Sequence, residues 1–240
     1  MIEIKNYTKK YSNEVIAVDN ISLTIKDGDI CAFVGHNGAG KTTTLKSVVG
    51  ILDFSQGEIL INGVSIKENP IKCKEMLAYI PDNPDLYEHL KGIEFINFIA
   101  DIYKVDKEKR LALIKKYADL FEMTDSLGNE ISSYSHGMKQ KVAIIAALIH
   151  EPSVLVLDEP FVGLDPTSTH NLKLIMNQMS SEGITIFFST HILEVAEKLC
   201  NTIAIIKKGK IIYNGTMKEL TKNKGLEEMY VEMDDANESL

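Results

Sequence analysis

The stretch Asp29-Ile30-Cys31-Ala32-Phe33-Val34-Gly35-His36-Asn37-Gly38-Ala39-Gly40-Lys41-Thr42 decides the reading of this chain. A short apolar run passes through a glycine-rich turn into residues 41–49, which carry helical spacing. An apolar segment of that length, stopped by glycine, reads as a buried strand. A strand feeding a helix through a tight turn is the repeating unit of a parallel α/β sheet. The turn also fits G-x-x-x-x-G-K-[ST]. Its glycines let backbone N–H groups curl inward towards phosphate oxygens. The helix that follows presents its positive end to the same anion. Lys41 places a point charge near the terminal phosphates, and Thr42 offers a hydroxyl to Mg²⁺. The candidate contact set here is Gly35, His36, Asn37, Gly38, Ala39, Gly40, Lys41, Thr42 and Thr43.

Working outward, residues 2–7 and 21–25 alternate like strands of an antiparallel sheet. Asp27-Gly28 is a turn. Residues 57–61 read as a strand closed by Asn62-Gly63, a strong short hairpin signal. Residues 77–80 form a further strand that stops at Pro81. From 87 to 128 the spacing becomes helical with no intervening strand, an insertion that reaches about residue 150 with the next helix. Strands at 154–157 and 184–188 then alternate with helices at 166–179 and 192–199. Residues 203–207 and 211–213 form a hairpin across Lys208-Gly209. The expected fold is α/β: a mainly parallel sheet, an N-terminal antiparallel β subdomain and an inserted α-helical subdomain. Residues 1–225 read as one domain and 226–240 as an acidic tail.

Composition narrows the class. Of 240 residues, 45% are hydrophobic and 25% charged, a soluble globular balance that excludes a disordered or collagen-like chain. The longest apolar run, residues 142–149, has eight members, whereas a membrane-spanning helix needs about 20. Residues 1–11 hold no apolar h-region, so no secretory leader is expected. Cys31, Cys73 and Cys200 are far apart and odd in number, which suits buried thiols in a reducing compartment. The net charge of −8 is uneven: residues 226–240 hold six acids and no base. That end is expected to fray. The rest is nearly neutral, and Arg110 is the one arginine. A binder of nucleic acid would show a basic face and more arginine, so no nucleic-acid partner is expected.

A second element is Val154-Leu155-Val156-Leu157-Asp158-Glu159. An apolar strand delivers two carboxylates at its C-terminal end, where open α/β sheets bind ligands. Asp158 suits Mg²⁺, and Glu159 suits abstraction of a proton from an attacking water.

Together these segments resemble the ATP-binding cassette (ABC) ATPases, in the family's order and over about residues 1–220. The P-loop NTPase core of that family is the fold the resemblance implies. Tyr11 stands where the family places a ring that stacks on adenine. Ser135-His136-Gly137-Met138-Lys139-Gln140-Lys141 resembles the signature loop and its helix, Phe161-Val162-Gly163-Leu164-Asp165 the D-loop, and His191 the switch histidine. Two positions depart. The usual Leu-Ser-Gly-Gly-Gln is Tyr134-Ser135-His136-Gly137-Met138, so a φ above zero at His136 would be strained. Asp82 replaces the usual glutamine near the cation. The resemblance implies ATP and Mg²⁺ as cofactors, Glu159 and His191 as catalytic residues, Thr42, Asp158 and Asp82 at the metal, and Ser135 and Gly137 on nucleotide.

The resemblance also implies partners. Ser135 and Gly137 open a helix whose N-terminus is an anion site without a glycine-rich cradle of its own. In the family that site serves ATP on a second cassette, so this chain is expected to pair, with itself or with a different cassette. A separate integral-membrane permease would supply the channel and dock against the helical insertion and the Asp82 loop, holding this subunit at the cytoplasmic face of the membrane. Residues 84–90 with the 161–166 loop most resemble the drug, peptide and antibiotic exporter branch, so export is favoured over import. The alternative is a soluble cassette ATPase of iron–sulfur cluster assembly. Translation-factor cassettes carry two copies per chain, and DNA-repair cassettes need a long coiled-coil insertion. A GTP switch protein would need an Asn-Lys-x-Asp base-reading motif, which does not occur.

Overall fold

The computed structural model describes residues 1–11, 15–222 and 224–236. Four antiparallel strands form one sheet: β1 (Ile2–Lys10), β2 (Ile16–Ile25), β4 (Gln56–Ile61) and β5 (Val64–Ser65), in the order β2-β1-β4-β5. Six strands form the other: β3 (Ile30–Val34), β6 (Leu77–Ile80), β7 (Val154–Asp158), β8 (Thr185–Thr190), β9 (Thr202–Lys207) and β10 (Lys210–Thr216). Their order is β10-β9-β3-β8-β7-β6, and every pair is parallel except the β9–β10 hairpin at the edge. Asn62-Gly63 and Lys208-Gly209 both sit at positive φ, as two-residue turns between twisted strands require.

The strands β3, β7 and β8 are buried at every position, so their side chains feed two cores. Cys31, Phe33, Val154, Val156 and Phe187 face helix α1 (Lys41–Val48) and the antiparallel sheet. Ala32, Leu155, Leu157 and Phe188 face the helical side. That side holds α3 (Gly92–Ile102), α4 (Lys107–Leu120), α5 (His136–Leu148) and α6 (Pro166–Ser181). The helix α5 is buried without a break from Gln140 to Leu148. It is wedged between α3, α4 and the edge strand β6, and the apolar run 142–149 needs such a position. Arg110 is spent inside the insertion. Its guanidinium pairs with Asp101 at 2.5 Å and donates to Asn97 and Val105.

Several elements exceed the reading from sequence. The strand β2 starts at Ile16 rather than 21, and α2 (Pro70–Met76) and α8 (Met217–Leu220) also form. The acidic end does not begin as a frayed tail. Residues Leu226–Ala236 form helix α9, and the reason is Leu226, fully buried against α7 (Leu193–Leu199). Residues 237–240 lie outside the described residues.

Candidate nucleotide site

Parallel strands share a C-terminal edge, and this fold puts four of the candidate loops on it. In register, Ile80 lies opposite Leu157, Asp158 opposite Ser189, and Val34 opposite Thr190. The residues after these strands, Gly35, Pro81-Asp82, Glu159 and His191, therefore open onto one crevice, as expected for ligand sites of open α/β sheets.

His36, Asn37, Gly38, Gly40, Lys41, Thr42 and Thr43 line a cleft of about 180 Å³ there, together with Asp82 and Glu159. Ala39 does not line it, because its methyl is buried in the core. Gly35 contributes its carbonyl rather than a surface. At Gly35 a Cβ would stand 2.3 Å from the carbonyl oxygen of Ile206, so the turn lies flat on β9. At Gly40, with φ +109°, it would stand 2.7 Å from the Ala17 carbonyl oxygen. The curl is thus fixed from outside by two strands.

Lys41 is 6% exposed. Its Nζ donates to the carbonyl oxygens of Gly35 (2.6 Å) and His36 (3.2 Å) and lies 3.8 Å from Glu159 Oε1. Burial pulls the ammonium pKa down, while the Glu159 and Asp158 charges oppose that shift. Glu159 is held from its other side by His191, whose Nδ1 is 3.0 Å from Oε2. The Glu159 backbone is left-handed, at φ 47°, a conformation that strains a non-glycine residue and that proteins tend to keep at functional sites. His191 is half exposed and so reachable from the crevice.

Asp158 is 1% exposed. Its Oδ1 accepts from Ser189 Oγ at 2.5 Å, while Oδ2 is buried with no partner. Ser189 Oγ also accepts from the Glu159 N–H at 3.0 Å, so one hydroxyl orients both carboxylate residues. Sequence reasoning missed Ser189. Its signal was the polar Ser189-Thr190-His191 that ends an apolar strand. An unpartnered buried carboxylate oxygen wants a cation or a donor. With the Thr42 hydroxyl and Asp82 on the cleft, the donors are hard oxygens, which suit Mg²⁺. No cluster of three or more His, Cys, Asp or Glu among the described residues can enclose a metal alone. Nucleotide oxygens and water would have to complete such a site.

Tyr11 stands at the rim, 40% exposed, with its hydroxyl 3.4 Å from Thr43 Oγ1. Its ring face also carries Lys9 Nζ at 5.2 Å. Ser135 and Gly137 are not brought to this cleft. Ser135 caps α5, its hydroxyl accepting from Met138 N–H at 3.3 Å, and both Ser135 and His136 are exposed. The expected strain at His136 does not arise. It is the first residue of α5 and keeps an ordinary negative φ, so a side chain there costs the backbone nothing.

A family model described as ABC transporter matches residues 18–162. The ABC-type transporter ATP-binding protein EcsA of Bacillus subtilis (strain 168) is 34% identical over 97% of this chain and 96% of its own length. The linearmycin resistance ATP-binding protein LnrL of the same organism is 33% identical over 94% of this chain and 72% of its own. A solved structure described as the ATP-binding subunit of an ABC transporter superposes with a TM-score of 0.93 at 32% identity, covering 98% of this chain and 99% of that one. The chain belongs to the ABC transporter ATP-binding proteins, a family of ATPases that bind and hydrolyse ATP in transporter complexes.

Proposed function

We propose that this chain is the Mg²⁺-dependent motor of an exporter whose membrane-crossing part is a separate polypeptide. The observation that carries the chemistry is Glu159, held between Lys41 and His191 at the mouth of the phosphate cleft. In this reading the turn N–H groups and Lys41 cradle the β- and γ-phosphates. Tyr11 lends its ring to the base, and the Thr42 and Thr43 hydroxyls face the phosphates. Thr42, Asp158 and Asp82 would hold Mg²⁺, which would neutralise phosphate charge. Lys41 leaves Glu159 as phosphate arrives. Glu159 then takes the proton of the attacking water, and His191 turns from Glu159 to the γ-phosphate. The described chain offers no arginine finger, since Arg110 is engaged between α3 and α4. Transition-state charge falls to Lys41, His191 and a second cassette, whose Ser135, Gly137 and α5 N-terminus would face this ATP.

Docking of a permease is supported by an apolar groove of about 220 Å³ beside the Asp82 loop. Ala143 and Ala147 of α5 lie along it, with Leu86, Phe95 and Ile99 on its other flank. Exposed Tyr87 and Phe98 extend the apolar surface. No described helix is long and apolar enough to cross a membrane. In this reading the groove receives a short helix from a membrane partner, and this chain is peripheral on the cytoplasmic face. Export is supported by the likeness to the linearmycin resistance protein.

Glu159→Gln tests the chemistry. It should bind ATP as the parent does and turn over at least ~100-fold more slowly, the usual scale for loss of a general base. Unchanged turnover sinks the assignment. The same variant, purified from gently solubilised membranes, should carry a polytopic membrane protein in stoichiometric amount. Recovery of soluble partners alone would remove the permease from the reading.

A further inference from the structure

Tyr79 stands in β6, opposite Val156 of β7. Residues two apart on a strand share a face, so Tyr79, Val156 and Asp158 lie on the same side of the sheet. Three residues further along the chain, Asp82 lines the nucleotide cleft. The Tyr79 hydroxyl is buried with no hydrogen-bond partner, as is Asp158 Oδ2. Burial first, and then the charges of Asp158 and Asp82, hold that hydroxyl well above an ordinary phenol. A tyrosine hydroxyl is in any case protonated at neutral pH and able to donate. Two buried, unsatisfied groups of complementary type, a donor and an acceptor, sit on one sheet face beside the cation-site carboxylates. Each costs the protein stability while unpaired.

We propose that Tyr79 is a positioning residue for the cation site, its hydroxyl donating to Asp158 Oδ2 once nucleotide and Mg²⁺ are bound. The bond fixes the carboxylate plane, so that Asp158 presents one geometry to the water shell of the ion. Hydrogen bonds from outside the ligand set commonly set metal affinity in this way. Nothing in the family signature motifs read above includes this residue. The proposal rests on the reading of Asp158 as a cation-site carboxylate.

The experiment uses the full chain carrying Glu159→Gln, so that ATP is retained, with Mn²⁺ as the spectroscopic probe. Bound and free Mn²⁺ are counted by electron paramagnetic resonance in the presence of ATP. Tyr79→Phe, which removes only the oxygen, should weaken Mn²⁺ binding about tenfold or more, the usual loss for such partners. Nucleotide affinity in EDTA should stay at the parent value, and Tm should stay level or rise, because an unpartnered buried hydroxyl has been removed. Mn²⁺ affinity within twofold of the parent overturns the proposal. So does a weakening accompanied by an equal loss of EDTA-state ATP affinity and a lower Tm, which would mark a packing role. If the parent itself holds no Mn²⁺–ATP, or Lys41→Ala holds it equally well, the nucleotide-site reading fails first and the proposal falls with it.

Discussion

His150 shows how a single side chain can tie stability to pH. Its ring stacks on Tyr103 with centroids 3.7 Å apart and planes 14° from parallel. Its Nε2 is 3.3 Å from the Leu77 carbonyl oxygen, while Nδ1 is buried without a partner. A carbonyl only accepts, so Nε2 carries the proton and Nδ1 is a bare acceptor. Protonation would bury a second N–H with nothing to receive it. Burial accordingly pulls the pKa below the ordinary 6.5, against the opposing bond to Leu77. The unfolded chain thus binds a proton at a higher pH than the folded one. Stability falls as pH drops below about 6.5 and levels off only beneath the folded pKa. In His150→Phe, which keeps the stack, the loss of unfolding free energy between about pH 7.5 and 5.5 should be smaller than in the parent. Equal losses, measured by urea denaturation, would show that His150 titrates normally.

At the scale of elements, the 161–165 loop and α5 are built against each other. Asp165 caps α6, accepting from the Ser168 N–H at 2.8 Å, and pairs with Lys141 of α5 at 2.7 Å. The Lys141 bond, then the Ser168 N–H, hold its carboxyl well below the usual range. Gly163 is at φ +80°, and a Cβ on it would stand 2.5 Å from the His136 ring. Gly163→Ala should therefore destabilise by about 1–2 kcal/mol from the backbone alone, plus the clash. His136→Gly removes the clash at a cost of up to about 1 kcal/mol of helix propensity. The double variant should be more stable than the sum of the two singles implies, by more than ~0.5 kcal/mol. Additive effects would mean that His136 swings aside freely.

The same elements show what the sequence makes legible. Buried strands declare themselves as apolar runs, Asn62-Gly63 declares its turn because asparagine and glycine accept positive φ, and at Lys208-Gly209 the glycine alone carries that signal. Lys41 and Glu159 were placed by motifs at strand ends and Asp82 by the resemblance, and all three line one cleft. The start of β2 did not, since Ile16 is 52% exposed and alternation is lost there. Helix α2 buries only Cys73, and α9 is pinned through Leu226, with Met229 and Tyr230 half-buried beside it among the acids. Ser189 and Tyr79 acquire their neighbours only through strand register, a long-range fact that local pattern does not contain.

For the whole molecule, the parallel sheet gathers the candidate nucleotide cleft and leaves Ser135 and Gly137 elsewhere. The cleft lining contains Lys41, Asp82 and Glu159 but neither Ser135 nor Gly137. The N-terminus of α5 is exposed at Ser135 and His136, and Ser135 occupies the Met138 N–H with its own hydroxyl. That helix end is a positive terminus which its own chain leaves open. Two copies arranged head to tail would bring each such terminus to the other's cleft, with phosphate as the bridge. ATP should then drive association, and hydrolysis should reverse it. The Glu159→Gln chain, 26.8 kDa alone, should run at twice its mass with ATP and Mg²⁺ on size exclusion coupled to light scattering, and as a monomer in EDTA. Adding Ser135→Arg, which places a bulky side chain at the helix end without touching the chain's own cleft, should leave ATP binding intact and abolish the larger species. If the double variant still doubles in mass with ATP, the signature helix is not the contact. If Glu159→Gln doubles only when a different cassette is supplied, the two ATP sites are unequal, and the site built on this chain's Lys41 and Glu159 is the one to assay for turnover.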